Sequence, residues 1–385
     1  MKISIDKKSL VEALLIVQKG LPIKTNAPIL NNIKFEMFET SIKLTSSGNN
    51  IAIEYLLTSK DLKIIEPGNF VVSSKIIDIL RELDCKIIEL SIVEDNRVVI
   101  NSSYSEFSLN MSSILDYPNV EFIERDKPNV ISINLLKQII KETSFSVATN
   151  DKRPSITGVN FVSSDNKLIC TSTDSIRLSR KTVTLKQKLS EFNIIIPGKI
   201  LDELLKILEM KSDDFKNNKI SDVQFFISSN RILFVIDNIN FQSRLLEGSF
   251  PDLERTLSYT DFSLVLTLNR FDLLNAIRLA SMVASKDDKS GTNLIQINYL
   301  ENQIVTISSN NNEIGASDTS ITPVSDPVGQ RLSIYVPSKN VSDVLKILEK
   351  SEVTLYFRGE QSAFIIKEVD NDTLIFLLLP TRFSY

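Results

Sequence analysis

The sequence states one pattern three times, and a repeat on this scale constrains the fold more than any local propensity. A short alternating stretch closed by Asp or Asn appears as Ile3-Ser4-Ile5-Asp6, Ile131-Ser132-Ile133-Asn134 and Leu266-Thr267-Leu268-Asn269. Ile131 follows Ile3 by 128 residues, and Leu266 follows Ile131 by 135. The alternation predicts a strand, and the closing Asp or Asn is placed to accept hydrogen bonds from the first free amides of a helix. Helices are expected over residues 7–19, 135–145 and 270–283.

A second strand-to-helix junction recurs as Val71-Val72-Ser73-Ser74-Lys75, Ile195-Ile196-Pro197-Gly198-Lys199 and Tyr335-Val336-Pro337-Ser338-Lys339. Each lysine leads an amphipathic helix, over 76–83, 200–210 and 340–350, with one buried stripe such as Ile200, Leu204, Ile207 and Leu208. Hairpins are expected at Leu44-Thr45-Ser46-Ser47-Gly48-Asn49, Cys170-Thr171-Ser172-Thr173-Asp174-Ser175 and Thr306-Ile307-Ser308-Ser309-Asn310-Asn311. A fourth pattern occurs twice, from Phe107-Ser108-Leu109 to Asp116-Tyr117-Pro118-Asn119 and from Phe241-Gln242-Ser243 to Ser249-Phe250-Pro251-Asp252. One β-rich unit with two helices is therefore triplicated. The fold class is α+β, with antiparallel sheets carrying helices on one face, and domains are expected at 1–124, 128–253 and 258–385.

Composition narrows the chemistry. The chain has no histidine, which removes Ser-His-Asp, Cys-His and HExxH chemistry. Its 10 glycines form neither GxxxxGK[ST] nor GxGxxG, and acid pairs such as Asp202-Glu203 and Asp213-Asp214 read as solvated surface. Cys85 and Cys170 offer no disulfide framework and are expected to be buried thiols. No catalysis, metal or cofactor is expected. The longest apolar run, Leu374 to Leu379, falls far short of the ~20 residues needed to cross a bilayer. Charge interrupts the first eight residues, so a cytoplasmic protein without membrane contact is expected.

At these residues the chain resembles the bacterial sliding clamps, the beta subunits of DNA polymerase III. The most specific stretches are Thr173-Asp174-Ser175-Ile176-Arg177-Leu178 and Phe241-Gln242-Ser243-Arg244-Leu245-Leu246-Glu247-Gly248-Ser249-Phe250-Pro251-Asp252, and the similarity runs to Leu379-Pro380-Thr381-Arg382. The resemblance implies three DNA-clamp domains per chain in a head-to-tail homodimer ring, sheets outside and two helices per domain lining the hole. It implies a non-catalytic processivity factor that encircles duplex DNA without reading sequence. Its implied partners are the replicative polymerase alpha subunit, the clamp-loader complex and other proteins with clamp-binding motifs.

A net charge of −4 would repel nucleic acid if evenly spread, so charge must be segregated. Lys199 and Lys206 lie seven apart, as do Lys339 and Lys346, and Lys137 and Lys141 lie four apart, so each pair shares a helix face. Interspersed acids such as Glu203, Asp343 and Glu349 also fit an ordinary solvated face. With the resemblance, Lys24, Lys75, Lys137, Lys141, Lys199 and Lys206 are expected toward DNA. The implied peptide cleft takes Ile156, Thr173, Ser175, Arg177, Leu178, Pro251, Arg255, Leu379, Pro380, Thr381 and Arg382. Ile176 stands where the family usually has His or an aromatic, and Thr381 where an apolar residue is common. These departures imply a shifted motif preference, and the added Ser384-Tyr385 is expected to crowd the cleft. Phe107, Leu109, Met282 and Val283 are expected at the dimer contact. A cytosolic repeat scaffold that binds peptides without DNA is the competing reading. A nucleotidyltransferase would need metal-binding carboxylates beside a triphosphate site, and no such constellation stands out.

Overall fold

The computed structural model describes residues 2–93, 96–102, 104–217, 220–285, 293–300 and 304–381. The chain divides into two compact units, Met1–Lys137 with Ile200–Leu245, and Gln138–Lys199 with Leu246–Tyr385. All strand pairings among the described residues are antiparallel, as in the ladder of Lys167–Thr173 with Arg177–Thr184. The first unit holds a 13-stranded sheet; the second holds a 9-stranded and a 4-stranded sheet.

The repeat is legible down to single hydrogen bonds. The helix Lys7–Val17 buries Leu10, Ala13, Leu14 and Val17, and Arg270–Ala280 buries Leu273, Ala276, Ile277 and Ala280. Ile133–Thr143 places Leu136, Ile139, Ile140 and Thr143 at the same spacing, and all four are buried. The i, i+3, i+4, i+7 stripe covers one sheet face. A buried serine 29 residues further on donates to the last carbonyl of each stripe: Ser46 to Val17, Ser172 to Thr143 and Ser309 to Ala280. The helix ends are thus satisfied by side chains of the sheet they lie on. In the first copy Gly20 makes this contact fit, because a Cβ there would stand 2.3 Å from Ser46 Oγ.

Two of the three expected caps form. Asp6 accepts from the Ser9 amide at 2.8 Å, and Asn269 accepts from the amides of Phe271 and Asp272. Asn134 does not cap: its helix starts at Ile133, and Ser132 Oγ accepts from the Leu135 amide at 3.2 Å instead. Ser132 is itself a good cap residue, so the helix starts two residues earlier than expected.

The apolar run that was too short for a membrane is the strand Leu374–Leu378. Leu374, Phe376 and Leu378 enter the main core of the second unit, while Leu377 joins a separate cluster with Leu178 and Ile365 on the other face. A strand covered on both faces has no reason to alternate. No helix among the described residues is long and apolar enough to cross a membrane.

Candidate functional site

Among the described residues, two ladders join strands of different repeats. In the first unit Ile239–Arg244 pairs with Ile51–Leu57, setting Phe241 opposite Ile53. In the second unit Arg177–Thr184 pairs with Leu374–Leu378, setting Leu178 opposite Leu377 and Ser179 opposite Phe376. Leu379, more than half the chain from Leu178 in sequence, is thereby brought to the hairpin that Leu178 follows: its amide donates to the Ile176 carbonyl at 2.9 Å.

Beside the second seam lies the small apolar cluster of Leu178, Ile365 and Leu377, with Leu253, Leu257, Phe262, Tyr356, Ala363 and Ile375 partly buried around it. Such a cluster outside the main core, with half-covered aromatic and aliphatic members, suits capture of a short apolar segment. Pro251 and Arg255 are exposed beside it, Arg255 on the short helix Glu254–Leu257. Ile176 is 45% exposed and Leu379 38%, whereas Leu178 is only 3% exposed and Ile156 fully buried. Leu178 supports the surface from below rather than lining it, because the seam closes over it, and Ile156 is a buried residue of the short helix Pro154–Thr157 rather than a lining one. Phe262, Tyr356, Ile365 and Leu377 were missed from sequence. The unbroken apolar run around Leu377 was the one signal for them.

The hairpin above this cluster is held by polar side chains. Asp174 Oδ1 accepts from the amides of Ile176 and Arg177, and Thr173 Oγ1 donates to the Arg177 carbonyl at 2.7 Å. Ser175 is thereby kept at φ 77°, a left-handed conformation that costs a non-glycine residue of order 1–2 kcal/mol. Its hydroxyl receives Arg153 at 2.8 Å. Arg177 binds Asp174 and Asp343 through its guanidinium and donates to the Phe145 carbonyl at 2.7 Å. This residue positions the hairpin; its donors are already committed. Pro380 is half-buried, and the Thr381 amide donates to the Tyr335 carbonyl at 2.8 Å. Arg382, Ser384 and Tyr385 lie outside the described residues.

The expected DNA-facing lysines divide between the units. In the first, Lys24 is exposed in the loop before the short helix Pro28–Asn31. Lys75 is exposed 3.3 Å from Asp78, and Lys137 donates to Ser212 Oγ at 3.1 Å. Lys206 lies 2.6 Å from Glu203, whose other oxygen is 3.7 Å from Lys19. In the second unit Lys141 and Lys199 are exposed. Full free charge is thus best attributed to Lys24 and Lys199, since a carboxylate already faces Lys75 and Lys206.

Phe107 and Leu109 sit at alternate positions of Glu106–Ser112. That strand is paired along residues 106–110 on one side only, while on the other side Met111 and Ser112 alone meet Gly68–Ser73. Met282 is exposed and Val283 half-buried just past the helix Arg270–Ala280. The strand Gly315–Ile321 ends the 4-stranded sheet, so one of its sides is unpaired within the chain. Cys170 is fully buried; that burial, with the charge of Glu142, pushes its thiol up and keeps it protonated. Cys85 is half-buried.

Family models for the N-terminal, central and C-terminal domains of the DNA polymerase III beta subunit match residues 1–121, 130–252 and 257–382. The chain is 36% identical to a beta sliding clamp of Staphylococcus epidermidis over 99% of each chain, and 34% identical to one of Staphylococcus aureus over 94% of each. The crystal structure of the Bacillus subtilis DNA polymerase sliding clamp superposes with a TM-score of 0.91 at 32% identity, covering 100% of both chains. The Streptococcus pneumoniae DNA polymerase III beta chain gives a TM-score of 0.91 at 29% identity, covering 99% of this chain and 100% of that one.

Proposed function

This chain belongs to the DNA polymerase III beta-subunit family, the bacterial sliding clamps, and from that premise we propose that two copies close head to tail into a ring around duplex DNA. It is a DNA sliding clamp, a processivity factor that performs no catalysis itself. The observation that carries the ring is the unequal use of strand edges. The closing strand of the second repeat, Ile239–Arg244, pairs with the hairpin of the first, and that of the third, Leu374–Leu378, pairs with the hairpin of the second. One closing strand, Glu106–Ser112, and one hairpin strand, Gly315–Ile321, remain for a partner. Joined in trans, each edge is covered, which removes the aggregation hazard of an open sheet. Met282 and Val283 flank that contact.

A net charge of −4 supports enclosure over affinity as the tether. Lys24, Lys75, Lys137, Lys141, Lys199 and Lys206 would meet phosphates without reading bases. The cluster around Leu377 with Pro251, Arg255, Ile176 and Leu379 would take the apolar motif of the polymerase alpha subunit, the clamp loader or other motif-bearing proteins. We take the three domains as 1–124, 128–253 and 258–385, and place the protein in the cytoplasm. A native mass of twice the chain's 43.4 kDa, with retention on closed circular DNA in high salt and release on linearisation, is the expected result. A monomer, or equal loss from both DNA forms, would sink the reading.

A further inference from the structure

The two seams inside the chain fix the register that a third would have. In the three hairpins Ser46 faces Ile53, Ser172 faces Ser179 and Ser309 faces Ser317, so Ile53, Ser179 and Ser317 are equivalent. In the closing hairpins Ile100 faces Phe107, Phe234 faces Phe241 and Ile366 faces Phe376, so the three phenylalanines are equivalent. The first seam sets Phe241 opposite Ile53 and the second sets Phe376 opposite Ser179. Carried to the third, this register sets Phe107 opposite Ser317, and therefore Glu106 opposite Asp318.

The faces agree. Asp318 points away from the core that receives Ile321 and shares its face with Ser308 and Gln296. Glu106 alternates with Phe107 and Leu109 and lies opposite Asn101, with Glu89 one strand further, 3.0 Å from Lys2. The nearest cation on that face of the neighbouring strand, Arg97, is opposite Asn110 at the far end of the ladder. The two closed seams have the same position compensated. Asn240 Nδ2 donates to Glu54 at 2.7 Å in the first. In the second, Ile375 faces Arg180, which reaches Glu254 at 2.7 Å.

We propose that the seam between two copies sets Glu106 of one directly against Asp318 of the other, and that this uncompensated carboxylate pair weakens that seam relative to the two within the chain. The inference rests on the head-to-tail ring reading. Like charges directly opposite across an antiparallel ladder destabilise it, and both side chains are exposed, so the effect is largest at low ionic strength.

Sedimentation equilibrium at low salt tests it with Glu106→Lys, Asp318→Lys and the double variant, melting curves confirming the fold of each. Either single change replaces repulsion with attraction at both seams of the ring and should lower the dimer dissociation constant by about tenfold. The double change restores a like-charge pair and should return the constant to near the starting value. Single variants that fail to tighten, or a double variant tighter than either, would overturn the pairing while leaving the ring standing. A native chain that stays monomeric at all concentrations would instead remove the ring. Ser108→Cys with Ala316→Cys, opposite each other in the same register, should cross-link under oxidation; failure to do so would refute the register itself.

Discussion

Arg177 and Asp343, 166 residues apart in sequence, meet at 3.0 Å with little of either side chain in water. The same guanidinium holds Asp174 and the Phe145 carbonyl, and it lies over the Phe145 ring. Removing it takes one partner from each of two carboxylates and from the Phe145 carbonyl, leaving Asp174 only its backbone amides and Asp343 only Lys339. Arg177→Ala should lower the stability of the second unit by roughly 2–4 kcal/mol in urea unfolding, and Arg177→Lys should recover only part of this, because one ammonium cannot span the fork.

Exposure separates two changes at the apolar cluster. Leu379→Asp, at a partly exposed position, should cut the affinity for an apolar motif peptide at least about tenfold with a melting temperature close to native. Leu178→Ala should instead cost roughly 2–4 kcal/mol of stability. Fluorescence anisotropy read beside thermal melts distinguishes them. Equal peptide affinity in Leu379→Asp would place the motif elsewhere.

The lysines should rank by how free their charge is. Lys24→Glu and Lys199→Glu should shorten polymerase products most. Lys206→Glu should do less, because Glu203 already screens Lys206 in the native chain. These are surface changes worth under about 0.5 kcal/mol each in stability, so circular dichroism should stay native throughout. A reversed ranking in primer extension would mean the lysines face another way.

Glu368 predicts an acid-sensitive third repeat. Its Oε1 accepts from the amides of Glu349 at 2.6 Å and Lys350 at 3.0 Å, and its Oε2 from Asn371 at 2.8 Å. Burial alone would raise its carboxyl, but the two amides and Asn371 outweigh burial and hold it below the usual range. A carboxyl depressed by folding stabilises the fold above its unfolded value of about 4.3, and that contribution is lost as pH falls through the folded value. Glu368→Gln should be less stable than the native chain by about 1–2 kcal/mol at neutral pH, the gap closing on acidification. A gap that widens as pH falls would contradict this.

What the sequence disclosed and what it hid follow from the range of the interactions. Asp6 and Asn269 were legible as caps because a cap acts within three residues. Asn134 misled because Ser132 beside it is an equally good cap, and pattern alone cannot choose between them. The triplicated stripe on Leu10, Leu136 and Leu273 is likewise local. The burial of Leu178 was not legible, since it depends on Leu377 some two hundred residues away. A ladder between repeats leaves no periodic trace in either strand.

The stretch that separates the first and second repeats, residues 124–128, does not separate two bodies. Arg125 donates to Asn240 at 2.7 Å, the Ile123 amide donates to Gln242 at 2.8 Å, and the ladder between Ile51–Leu57 and Ile239–Arg244 crosses the same boundary. The evolutionary copy and the physical module are therefore different segments of chain. A protease that cuts after Arg125 would sever the backbone yet release nothing: two polypeptides in a denaturing gel, one particle on a sizing column.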